Sequence, residues 1–484
     1  MLEPILTFMP ILAMYFGAMA SLSIDFKKRG SKILLLSLPL LVLVLAIVQF
    51  LGPGSITEIQ LAPANLVISR NNTFMVAACM AITSIILVNG FDDFSDKNVE
   101  RFYHVLLFLI AGTVCGLVYA DNLFILSTFI LATEVFISIL KFIYPSIDKR
   151  LFNALIATFT TGFVLLMAGC LIISNTPGSA QDLYLALLEP ASMPTLAMYF
   201  LYTGFLVVFA AFPVSLLVHF GLHVKSHVSV KVFNVFFMGA LYWKFLQVHD
   251  ALNLSGTWFD ATSFILGMGN VVTGIASISR ELLSRKQHRI EMIVMGSYMI
   301  DFGIVLALFG LAGETGLIGH EIQQAMMLQI IITLATKVML ILSVKNITKV
   351  FHSDLIDDME GLKLRRPVTL VGYVMGTTGA IYLGIFILDE VYKVAASISG
   401  SITAQVLFWS ILIVILFTPT WVAISIAWIF GGKDLPAPVK NAQPRSLKKE
   451  EATIGMMIAL NAVLILLLWL MPSISFLELL QYGL

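Results

Sequence analysis

Charge is what this chain has least of: 12% of its 484 residues are Asp, Glu, Lys or Arg, against 59% hydrophobic and a mean hydropathy of +0.95. A soluble chain of this length carries far more charge on its surface, so the expected solvent is a bilayer. The 29 basic and 29 acidic residues balance, so overall charge says nothing about nucleic acid or acidic partners, and no nucleic-acid partner is expected. Cysteine is just as scarce. Cys79, Cys115 and Cys170 stand far apart inside apolar runs, without metal-ligand spacing, and read as buried structural thiols. Nowhere does GxGxxG, GxxxxGK[ST], HExxH or CxxC occur. An ATP-driven pump, a flavoprotein and an iron–sulfur subunit are thereby disfavoured, and neither a cofactor, a metal nor a complete enzyme active site is expected.

Long hydrophobic runs fill the space that charge leaves. Windows of about twenty residues, the length that crosses a hydrocarbon core, give about fourteen spans: 4–22, 33–52, 72–91, 103–120, 122–143, 153–174, 195–222, 229–249, 261–280, 291–312, 324–345, 366–391, 402–431 and 453–472. The first is expected to be a membrane helix, not a cleaved signal peptide, because it has no basic region ahead of it and no small-residue cleavage site. The loops test the count. Of the 29 Lys and Arg, 25 fall in alternate loops, only Arg70 and Lys393 lie in the opposite set, and Lys244 and Lys337 are inside spans. By the positive-inside rule both termini are expected on the non-cytoplasmic side of the cell's inner membrane. The longest loop, 432–452, is Pro-rich and basic and reads as a cytoplasmic linker.

Ionisable groups at membrane depth are costly and mark candidate ion paths. Glu134 and Lys337 lie mid-span, Asp301 lies near the middle of 291–312, and Lys244 sits in the outer third of its span, where its stem could snorkel. The alternative for each is a structural buried polar contact. Pro213 interrupts 195–222, and the 366–391 span carries Gly372, Gly376, Gly379 and Gly384. Breaks of this kind free backbone groups that line ion paths in transporters built from repeats, whereas glycines can equally serve close helix packing. His219, His223 and His227 follow Pro213 at four-residue intervals; proton uptake from the cytoplasm and an ordinary polar loop are the competing readings.

Taken in order, Asn122-Leu123-Phe124 followed by Glu134, Gly204-Phe205 followed by Ala210-Ala211-Phe212-Pro213, Lys337, Gly361-Leu362 and Arg366-Pro367 make the chain resemble, over nearly its whole length, a family of membrane subunits. These are the antiporter-like subunits of respiratory complex I (the L, M and N types), of Mrp sodium/proton antiporters and of energy-converting membrane hydrogenases. The resemblance implies an all-α integral membrane fold with two inverted five-helix repeats and broken helices seven and twelve. On this chain it implies N-terminal helices over 1–102, repeats over 103–250 and 251–431, the linker 432–452 and a last helix in 453–484. It also implies proton or sodium translocation through buried Glu, Lys and Asp, driven from elsewhere in a multi-subunit complex. Glu134, Lys337, Asp301, Lys244, His223, Asp389, Glu390 and Lys393 are the path residues so expected, with helix breaks at Pro213, Gly376 and Gly379. Val208 and Met238 stand where the family has helix-seven and helix-eight basic residues. Two other readings follow from that departure or from the composition. One is a scaffold or anchor for a soluble cytoplasmic partner, of the kind used in inorganic-carbon uptake; the other is a stand-alone carrier of a small solute.

Overall fold

A computed structural model of the chain describes residues 2–24, 26, 29–51, 70–91, 94, 96–143, 149–176, 183–185, 193–216, 218, 227–252, 257–283, 289–315, 319–351, 367–378, 388, 391–392, 402–430 and 452–459. Lipid offers no hydrogen bonds to backbone, so a spanning segment must satisfy its own. The apolar runs accordingly form helices: α1 Leu2–Ser23, α2 Arg29–Leu51, α3 Arg70–Gly90, α4 Lys97–Tyr119, α5 Leu123–Phe142, α6 Lys149–Ser174, α7 Thr195–Val208, α8 Val228–Leu252, α9 Thr257–Leu283, α10 Ile290–Thr315 and α11 Gly319–Phe351. They continue with α12 at 367–378, α13 Ile402–Ile429 and α14 at 452–459. Among the described residues nine helices are long and apolar enough to cross a membrane, and shorter apolar helices add to them. The molecule is a multi-pass helical membrane protein of about fourteen helices.

Local sequence explains the limits of the elements. Asp96 caps α4 by accepting from the Asn98 backbone N–H at 2.8 Å, and Asn122 caps α5 by accepting from those of Phe124 and Ile125 at 2.9 and 3.3 Å. Hydroxyls inside spans turn back on their own helix, as Thr83 does to the Cys79 carbonyl and Ser343 to that of Met339, both at four residues' distance. The three cysteines are free and buried.

The chain forms two compact units. Unit 1 comprises Met1–Phe209, Lys225–Leu254 and Met471–Leu484; unit 2 comprises Ala210–Val224 and Ser255–Leu470. In unit 1, α4 is buried nearly all round and packs against α1, α3, α5 and α8, while α2 turns Ile33, Leu34 and Val48 outward. In unit 2, α10 and α11 are the buried helices, while α9 and α13 present Ile265, Val272, Trp409 and Leu416 outward. Outward apolar faces of that kind are what a lipid-facing surface requires.

Glycine spacing sets the closest helix contacts. Gly267 and Gly274 on α9 oppose Gly296, Gly303 and Gly310 on α10, each seven residues from the next, so all stay on one seam. A carbon added at Gly303 would lie 2.7 Å from the Gly267 carbonyl, and one at Gly310 would lie 2.7 Å from the Phe264 nitrogen. Backbone therefore meets backbone along the seam, the small-residue packing that lipid favours. Gly162 and Gly169 on α6 make room for side chains of α7 in unit 1, those of Val208 and Leu201. Gly303→Val is expected to wedge the seam and cost roughly 1–3 kcal/mol. Gly30→Ala, where an added carbon meets nothing within 4 Å, should leave the unfolding midpoint in detergent unmoved; equal midpoints for both variants would refute the seam.

Candidate functional site

Unit 2 holds an ion pair with no exposure to solvent. Lys337, on α11, brings its Nζ to 2.8 Å from Asp301 Oδ2 on α10, and both side chains are 0% exposed. The same ammonium donates to Ser297 Oγ. Ser297 and Asp301 are one turn apart on α10, so a single face of that helix offers two oxygens to one cation. Two isolated charges at this depth would each be heavily penalised; together each offsets the other, and the Ser297 hydroxyl gives the ammonium a second partner.

The pair sits on a polar row. Four and eight residues before Lys337, Thr333 and Gln329 are buried, and Gln329 Nε2 donates to Thr333 Oγ1 at 3.3 Å. Nine residues after it, Asn346 Nδ2 donates to Thr369 Oγ1 of α12 at 2.6 Å. Gln329 Oε1 and Asn346 Oδ1 accept no hydrogen bond among the described residues, nor does Asn270 Oδ1 on α9. Thr333 and Gln329 therefore share the Lys337 side of α11, whereas Asn346, two and a half turns on, lies on the opposite face, toward α12. Close packing of α12 on α11 fixes the row. An added carbon at Gly376 would meet Leu340 Cβ at 2.7 Å, and one at Gly372 would meet Ser343 Oγ at 2.6 Å. The helix runs unbroken through Gly376. That residue is therefore not a break, contrary to the expectation, and its missing side chain serves the approach to Leu340. Gly379, Asp389, Glu390 and Lys393 lie outside the described residues, as do His219 and His223.

Glu134 is near the middle of α5 in unit 1, 1% exposed, and neither carboxylate oxygen has a hydrogen-bond partner among the described residues. Val208 closes α7 and fits against Gly162, and Met238 is buried on α8; both side chains are apolar. Lys244 does not snorkel. It is buried, donates to Gln247 Oε1 at 2.8 Å, and interacts electrostatically with Asp121, while Gln247 Nε2 donates to Asn72 Oδ1 of α3 at 3.0 Å. Around Pro213 the backbone leaves the helix: α7 ends at Val208, Ala210 takes a left-handed φ of 49°, and helical geometry returns at 214–216. An alanine in that region costs about 1–2 kcal/mol.

Ser297, Gln247 and Asn72 were not foreseen from sequence. For Ser297 the signal was its four-residue spacing ahead of Asp301; for the other two nothing local distinguished them. Among the described residues no three His, Cys, Asp or Glu side chains come together as a metal site.

No family model matches the sequence, and no curated protein matches it. Solved structures do. A chain of the Mrp complex from Dietzia sp. DQ12-45-1b aligns at 14% identity with a TM-score of 0.77, over 100% of this chain and 97% of that one. A chain of the membrane-bound sulfane sulfur reductase (MBS), an archaeal respiratory membrane complex, aligns at 15% identity with a TM-score of 0.73, over 99% and 96%. The likeness shows the fold: from end to end the chain is built like subunits of these two membrane complexes.

Because each charge of the pair compensates the other, Asp301→Asn and Lys337→Met are each expected to cost roughly 3–5 kcal/mol in detergent unfolding. The double variant should lose clearly less than the sum of the two. Additive losses would show that the pair carries no coupling.

Proposed function

We propose that the chain is a proton- or sodium-translocating, antiporter-like subunit of a larger membrane complex, and that unit 2 carries the ion step. The observation behind this reading is the Asp301–Lys337 pair, wholly buried with Ser297 as third partner. Such a pair is a two-state element. A proton added to the carboxylate, or removed from the ammonium, leaves one uncompensated charge in a low dielectric, so proton arrival and the geometry of the pair are coupled. A sodium ion arriving at the carboxylate would displace the ammonium by the same electrostatics. On the Lys337 side of α11, Gln329 Oε1 is an acceptor without a hydrogen-bond donor among the described residues, which is what an arriving cation needs in place of bulk water.

Further support comes from the full-length likeness in fold to subunits of multi-subunit membrane complexes. Other membrane subunits are therefore the proposed partners, and the energy source lies among them, since the sequence shows no nucleotide or redox motif of its own. The charge alternation of the loops supports an orientation with both termini on the non-cytoplasmic side and the basic linker 432–452 in the cytoplasm. In unit 1, Val208 and Met238 leave Glu134 without the basic partners that the resemblance implies, so Lys244 and Glu134 are assigned lesser roles. A scaffold that anchors a soluble protein remains the second reading, and that same apolar replacement favours it.

The test is purification of the tagged chain in mild detergent with whatever accompanies it, followed by reconstitution into vesicles carrying pH and sodium gradients. Copurifying membrane subunits and gradient-driven ion movement are expected. Lys337→Met should lower the rate about tenfold or more, and Glu134→Gln should lower it less. Normal ion movement with Lys337→Met would reject the assignment to unit 2; a single soluble companion and no ion movement would favour the anchor.

A further inference from the structure

Two of the free thiols of unit 1 meet across the α3–α4 interface. The helices run antiparallel, and their register follows from contacts along the seam. Tyr103 lies where a side chain at Gly90 would stand. Cys79 Sγ donates to the Ala111 carbonyl at 3.9 Å. Cys79 and Cys115 are hydrogen-bonded to each other through their side chains, and so are Thr73 and Tyr119. Steps along α3 from Gly90 through Cys79 to Thr73 match those along α4 from Tyr103 through Cys115 to Tyr119 to within two residues. Because the single thiol hydrogen of Cys79 goes to Ala111, it is Cys115 that donates to the Cys79 sulfur. Cys170 is the contrast: it is equally buried, but its partner is the Ser127 hydroxyl of α5.

The pair is sealed from solvent, with Cys79 1% and Cys115 0% exposed. Tyr15 of α1 and Tyr119 are the ionisable neighbours that act on Cys115, and neither brings a positive charge to hold a thiolate. Met14 of α1 packs against α4 at Gly112, about one turn before Cys115. Chemistry at these sulfurs therefore has to run between neutral species. Asn72, about two turns before Cys79 on α3, accepts from Gln247, which in turn accepts from Lys244. This end of unit 1 is opposite the basic residues Lys97 and Arg101; the proposed orientation turns it toward the oxidising, non-cytoplasmic side.

We propose that Cys79 and Cys115 are a peroxide-sensitive dithiol whose oxidation to a disulfide staples α3 to α4. The oxidant is a small neutral hydroperoxide, the class that can reach a sealed pair. One sulfur attacks a peroxide oxygen, the O–O bond breaks, and the departing oxygen takes the thiol hydrogen, which leaves a sulfenic acid and water. The second sulfur then attacks the first, the S–O bond breaks, and the second thiol hydrogen departs with the hydroxyl as water. In all, the pair gives up two protons and two electrons, the peroxide is reduced, and no charge is stranded at membrane depth. Contact between the thiols favours this second step over further oxidation of the first sulfur. The staple holds the part of α3 that carries Asn72, so unit 1 registers oxidant through its helix packing.

The experiment exposes the full chain, with its copurifying subunits in vesicles, to hydrogen peroxide. The chain is then unfolded with a maleimide present to trap remaining thiols, digested, and its cysteines mapped by mass spectrometry. A peptide pair joined through Cys79 and Cys115, lighter by two hydrogens and separated by a phosphine reductant, is expected, with Cys170 still trapped as a thiol. Cys79→Ser and Cys115→Ser should each abolish the link, and Cys170→Ser should keep it; the wild-type map alone decides the site should a variant not fold. The unfolding midpoint in detergent should rise on oxidation of the wild type and fall back on reduction, and in Cys79→Ser it should stay still. Both thiols still trapped after peroxide, either one over-oxidised without a link, or a link through Cys170 would overturn the dithiol. A linked chain with an unmoved midpoint would overturn the staple. Lys337→Met should form the link as the wild type does, so these outcomes are separate from the ion step assigned to unit 2.

Discussion

An ammonium and a carboxylate placed 2.8 Å apart with no exposure to solvent set the terms for the rest of unit 2. At membrane depth neither charge is tolerable alone, so the helices that carry them cannot drift apart without exposing both to hydrocarbon. The structure holds them with backbone contacts instead of long side chains. Gly267, Gly274, Gly296, Gly303 and Gly310 lock α10 onto α9, and Gly372 and Gly376 bring α12 against α11. Asp301 and Ser297 ride on the first clamped helix and Lys337 on the second. The pair is thus preorganised by seams in which an added carbon at Gly267, Gly303 or Gly376 would meet main-chain atoms.

Unit 1 uses the same packing device, with Gly162 and Gly169 against α7, but fills its centre differently. Val208 and Met238 are buried and apolar, and Phe209 packs on Tyr242 and Phe245. Removing a cation from a buried pair usually strands its partner. Here Glu134 stands on the same buried face of α5 as Ser138.

The sequence made the membrane architecture legible because bilayer thickness imposes length and apolarity on every span, and loop charge alternates with topology. It also marked Glu134, Asp301, Lys244 and Lys337, since charge within an apolar run stands out whatever the fold. What it did not carry was pairing. Asp301 and Lys337 belong to different helices, and only helix packing brings them together. Ser297 looked like any membrane-helix serine, and Cys79 and Cys115 like unrelated buried thiols. Gly376 shows the opposite failure: the glycines of 366–391 had two readings, a break or close packing, and only the position of Leu340 decides for packing there. The seven-residue glycine spacing of α9 and α10 was present in the sequence, but its meaning depends on which helix faces which.

The same division explains how a chain can keep a fold without keeping much sequence. The fold asks for volume and polarity at many positions: small residues on seams, apolar residues toward lipid, hydroxyls that bond back to their own helix. Very many sequences meet those demands, so full-length likeness in architecture says little about chemistry. Ion movement asks instead for particular atoms at particular separations. In unit 2 the described atoms of that kind are a buried charge pair and the hydroxyl that shares its ammonium, and the proposed ion step stands on them.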